Sequence, residues 1–93
     1  MKVMVTWQIH PGKIQHTLAT FSKMTAKEEQ ALAGKNVKLV CRWHDLVRGR
    51  GVAIYETEDA TALSKLALAW NGAMDLDVAI VLDDGEARVL GRG

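Results

Sequence analysis

Arg42, Trp43 and His44 follow one another in the sequence and put a guanidinium, an indole and an imidazole within one short run. Imidazole titrates near neutrality and a guanidinium holds a fixed charge, so His44 beside Arg42 can orient an anionic or carbonyl ligand. A surface histidine next to a structural tryptophan is the plain alternative. Glu56 is a second candidate: in phase with Val52 and Ile54 it falls on an apolar face, where a raised carboxyl pKa would suit acid or base work. It can equally fray out to water or to nearby backbone donors. Trp7, Trp43 and Trp70 offer flat walls and indole donors for a planar ligand, or simply fill the core. Tyr55 and Arg42 complete the set of binding candidates, with His44 and Glu56 as the candidate proton-transfer groups.

Other chemistry is sparse. Cys41 is the only cysteine, so no internal disulfide forms and a reducing, cytoplasmic setting is expected. His10, His16 and His44 make no structural-zinc spacing, and no metal or cofactor is expected. No nucleophile elbow, phosphate-binding glycine loop or paired-carboxylate motif is present. With 12 basic and 11 acidic residues the chain offers no strong field to nucleic acid or anionic membrane. No segment reads as a signal peptide or a membrane span.

The elements that must hold these residues can be read from periodicity. Lys2 to Ile9 alternates as a half-buried strand, with Val3, Val5, Trp7 and Ile9 on one face. Pro11 and Gly12 break it, and Ile14, Leu18 and Phe21 then recur at helical spacing, giving a helix from Gly12 to Met24. Thr25 with Glu28 matches a capping box ahead of a helix-prone stretch ended by Gly34 and Asn36. Val37 to His44 alternates again, with Val37, Leu39, Cys41 and Trp43 on one face. It forms a hairpin with Gly51 to Thr57, in which His44 opposes Gly51, Arg42 opposes Ala53 and Val40 opposes Tyr55. Asp59 caps a helix carrying Leu63, Leu66, Ala67 and Trp70 on one face, and Leu76 to Leu82 is a last strand.

The order is β-α-β-β-α-β, so the 93 residues are expected to form one α+β ferredoxin-like domain. Two helices would cover one face of a four-stranded antiparallel sheet. Strands one and three are expected to be parallel central neighbours, which would put His10 at the opposite end of the sheet from His44. The core face would hold Val3, Val5, Trp7, Ile9, Cys41, Trp43, Val52 and Ile54, leaving the Cys41 thiol inert. The open face would hold Met4, Thr6, Val40, Arg42, Ala53 and Tyr55. That face is too apolar to leave in water, and a second copy of the chain is its expected cover. Asp83 to Gly93 fits either a short helical turn or an arm across a partner.

The segments Met4-Val5-Thr6-Trp7, Arg42-Trp43-His44, Tyr55 to Asp59, Ala69-Trp70 and Val81 to Asp84 resemble the bacterial family called domain of unknown function 3303. The resemblance runs over nearly the whole chain. It implies an architecture similar to the dimeric α+β barrels, a group of cofactorless monooxygenases, lactone isomerases and stress-responsive proteins, without implying any one of those activities. In that group a pocket lies between sheet and helices with a His or acidic residue near a strand end, positions that His44 and Glu56 match here.

Two functions are therefore expected. The first is a homodimer that binds a small, partly apolar molecule or a protein partner. The second is a cofactorless enzyme acting on a small aromatic or carbonyl substrate. An RNA-binding role would need more exposed aromatics and bases on the open sheet face than Tyr55 and Arg42 supply.

Overall fold

The computed structural model describes all 93 residues. The elements run β1 (Lys2–Ile9), α1 (Ile14–Lys23), α2 (Ala26–Ala33), β2 (Val37–Asp45), β3 (Arg50–Thr57), α3 (Ala60–Trp70), β4 (Met74–Val81) and α4 (Asp84–Gly91). The strands form one four-stranded sheet in the order β2-β3-β1-β4, and every neighbouring pair is antiparallel. This is the ferredoxin-like arrangement, with four helices in place of the expected two.

The extra helices come from two capping boxes. Glu28 N donates to Thr25 Oγ1 at 3.1 Å while Thr25 N donates to Glu28 Oε1 at 3.1 Å, so the first crossover is broken into α1 and α2 at Met24 and Thr25. The same device, with Glu86 N donating to Asp83 Oδ1 at 2.8 Å, turns the C-terminal segment into α4. Lys2 Nζ ties α4 to the sheet through Glu86 at 3.2 Å and Asp83 at 3.6 Å.

β1 and β3 are antiparallel, not parallel. The helical crossover returns β2 in the direction of β1, and the tight hairpin then reverses the chain into β3. The C-terminal ends of β1 and β2 consequently share one end of the sheet, where Ile9 N donates to Gly49 O at 2.8 Å. His10 and His44 thus lie at the same sheet end, contrary to expectation. His10 instead meets Asp75 Oδ1 at 3.0 Å, and no group of three His, Cys, Asp or Glu side chains converges as metal ligands do.

Two faces of the sheet also differ from the periodicity reading. Val3 pairs with Tyr55 and Val5 with Ala53, so β3 presents Ala53, Tyr55 and Thr57 to the helices, and Val52, Ile54 and Glu56 to the other side. In β2 the register slips between Leu39 and Cys41. A bulge adds one residue and reverses the alternation beyond it. Leu39, not Val40, therefore opposes Tyr55. Past the bulge Arg42 and His44 turn toward the helices while Cys41 and Trp43 turn away.

Val3, Val5, Val37, Ala53 and Tyr55 form the buried cluster, backed by Ala33 of α2 and by Ala62, Leu63 and Leu66 of α3. A chain of hydrogen bonds closes this end. Thr57 Oγ1 donates to Asn36 O at 2.8 Å and accepts from Asp59 N at 3.0 Å, while Asp59 Oδ1 accepts from Ala62 N at 3.0 Å to cap α3.

Candidate functional site

Toward Trp7 and His44 the sheet-helix space is not filled, and the opening reaches back to Val5, Val37 and Tyr55 of the buried cluster. A cavity of about 280 Å³ lies there between the sheet and α1, α2 and α3, at the small end of the range of ligand sites. Most of its lining is apolar, and polar side chains from the sheet join it: Arg42 and His44 from β2 and Tyr55 from β3, with Arg50 at the start of β3.

The β2 bulge brings Arg42 and His44 to this side. Arg42 Nη2 donates to Glu29 Oε1 of α2 at 2.7 Å, and its guanidinium carbon sits 4.8 Å from the centre of the Phe21 ring of α1. Ionic and cation–π contacts together fix the guanidinium, a planar group suited to both. His44 is held between two rings, 5.1 Å from Phe21 and 5.6 Å edge-on from Trp7. Burial lowers the His44 pKa from its ordinary value, and the Arg42 charge lowers it further against a small opposing pull from Glu29. The imidazole is neutral at pH 7 as a result. Burial raises the Tyr55 pKa, with the Arg42 charge working against it, so the phenol keeps its proton.

Gly51 makes room for Trp7. A Cβ at this position would fall 2.7 Å from Trp7 Cε2 and 2.6 Å from the Trp43 carbonyl oxygen. The indole packs close against Gly51 of β3 and forms a wall of the cavity, with Trp70 contributing from α3. Gly49, at φ +66°, turns the hairpin at the mouth and abuts Ile14.

The family model for the domain of unknown function (DUF3303) matches residues 1–93. The chain belongs to this family. No curated protein matches it. Among solved structures, the crystal structure of an uncharacterized NIPSNAP domain protein from Burkholderia xenovorans is similar, with 11% sequence identity and a TM-score of 0.48. The likeness covers 90% of this chain and 97% of that one.

In this DUF3303 chain the predicted site residues divide into two groups. Trp7, Arg42, His44, Tyr55 and Trp70 all line the cavity. Trp43 and Glu56 do not: Trp43 is 64% exposed on the face away from the helices, and Glu56 pairs there with the N-terminal amine at 3.5 Å and with Lys2 at 3.9 Å. The expectation that Arg42 and His44 share the open face while Glu56 faces the helices is therefore inverted. Glu29, Phe21 and Thr17 were not anticipated as site residues. Phe21 was assigned to the stripe of α1, and Glu29 could have been found from its spacing, since Glu29, Leu32 and Ala33 fall on one face of α2.

Proposed function

We propose that the protein binds a small, partly apolar molecule in the cavity between sheet and helices, with Arg42, His44 and Tyr55 engaging its polar atom. One observation carries this reading: the three side chains line a space whose walls are mostly apolar, the composition of a small-molecule site. Tryptophan fluorescence provides the test. Saturable quenching by small aromatic ketones, weakened about tenfold by His44→Ala, supports the reading. Linear, unsaturable quenching indifferent to that substitution contradicts it.

The neutral state of His44 beside a fixed Arg42 charge favours a second reading, a cofactorless enzyme. His44 would take a proton from the carbon next to a carbonyl, and Arg42 would steady the negative charge that develops on its oxygen. Exchange of the acetyl protons of an aromatic methyl ketone in heavy water, followed by NMR, should be accelerated by the protein and not by His44→Ala. A rate equal to that of buffer sinks the enzymatic reading while leaving binding intact.

The protein is further proposed to act as a cytoplasmic homodimer joined through the open sheet face. The true members of that face include Met4, Cys41, Trp43, Val52, Ile54 and Val81, an apolar group bordered by Lys2, Thr6, Glu56 and Asp77. Trp43 is the natural anchor, because a large exposed aromatic gains most from burial between copies. Sedimentation at micromolar concentration should give a dimer that Trp43→Arg converts to monomer. A monomeric wild-type protein removes the basis for the interface.

A further inference from the structure

We propose that the ligand of this cavity is an uncharged, oxygen-bearing compound of the aromatic ketone or phenol class, and not a carboxylate or phosphate. The inference rests on the binding reading above and narrows it. An arginine in an apolar cavity ordinarily points to an anionic ligand, but here the guanidinium is already matched. Glu29 accepts from it at 2.7 Å, and the two side chains are only 21% and 31% exposed. The other charged group at the cavity, Arg50 near the mouth, donates to Asp45 at 2.9 Å. Each positive charge on the lining therefore has its own carboxylate.

An incoming anion would have to displace Glu29 or lie close to it, at a site where water cannot screen the repulsion well. An uncharged oxygen meets no such penalty. A guanidinium carries five N–H donors, and the pairing with Glu29 occupies one of them, so donors remain for a carbonyl or hydroxyl. His44 and Tyr55 add neutral partners.

Thr17 independently marks a place for a ligand oxygen. It is 5% exposed, lies on α1 in the lining of the same cavity, and its hydroxyl oxygen has no hydrogen-bond partner. A buried hydroxyl left unpaired is costly, and a ligand oxygen would satisfy it as donor or acceptor. One turn of α1 separates Thr17 from Phe21, placing this contact beside the Arg42–His44 group along the cavity.

The test is calorimetric titration at pH 7.5 with two probes of equal size and shape, the ketone acetylnaphthalene and the carboxylate naphthoate. The wild-type protein should bind the ketone at least tenfold more tightly. Glu29→Gln releases the Arg42 charge and should improve naphthoate binding by about tenfold, narrowing or abolishing the preference, with little change for the ketone. Naphthoate binding as tightly as the ketone, or more tightly, in the wild-type protein overturns the assignment even if the variant fails to fold. Absence of binding by either probe overturns the binding reading itself and this inference with it.

Discussion

One end of the sheet-helix interface is packed and the other is open, although the same strands and helices build both. At the packed end Val3 and Ala53 are 2% and 1% exposed and stand outside the cavity lining, and the Asn36–Thr57–Asp59 hydrogen bonds close the layer. At the open end Trp7, Phe21 and His44 are spaced around a cavity, and the polar groups answer one another across it. Small, branched side chains fill the first region, whereas Trp7, Phe21 and Trp70 stand among aliphatic side chains in the wall of the second. Aromatic rings span a gap without filling it, so a domain this short can keep a stable core and a site side by side.

The largest test of that contrast is a pair of truncations. Val3→Ala removes two buried methyl groups from the packed end and should lower unfolding stability by about 2–3 kcal/mol. Phe21→Ala removes far more, yet it lines existing space, and its cost should be about 1 kcal/mol. Urea denaturation of both variants measures the difference, and equal or reversed costs would mean the open end is ordinary core. Next is Gly51→Ala, where a methyl group must push against Trp7 and the backbone of β2. Overpacking of this kind costs about 1–3 kcal/mol, and here it should also displace the indole and shrink the cavity. A variant as stable as wild type, with an unchanged Trp7 indole signal, would show that the close approach does not matter.

A smaller effect concerns pH. The His44 pKa is lower in the folded protein than its ordinary 6.5, so the unfolded chain binds the proton more readily. The contribution of neutral His44 to stability is intact above pH 6.5 and is lost as pH falls from there through the folded value. Arg42→Leu removes one cause of the lowering, so its imidazole should titrate higher and its stability should depend less on pH across this window. NMR titration of the His44 ring protons checks the sign, and a folded pKa above 6.5 contradicts it.

Much of the frame was legible because it rests on local rules. The alternation of β1 and β4 pointed Val3, Val5 and Leu76 inward as found, and Thr25, Asp59 and Gly34 marked helix ends where the structure has them. The faces of β2 and β3 were not legible. Val52 and Ile54 are bulkier than Ala53, so hydropathy favoured the wrong face of β3. The requirement it missed is for small residues beneath Trp7 and the helices. The bulge at Val40 has no signature in alternation, since both parities of β2 carry apolar residues. The Arg42–His44 grouping was visible as a sequence run, whereas its partnership with Glu29 depends on how α2 lies over the sheet. Thr17 looked like any helix threonine until the cavity beside it was known.

The three tryptophans report on the central claim directly, because Trp7 and Trp70 line the cavity while Trp43 lies on the opposite face of the sheet. Their indole N–H signals, followed by ¹⁵N NMR during titration with acetylnaphthalene, should respond unequally. Saturable shifts of the Trp7 and Trp70 signals with Trp43 unmoved are the predicted result. Shifts confined to Trp43, or no saturable shift at any of the three, would contradict a binding site at the open end.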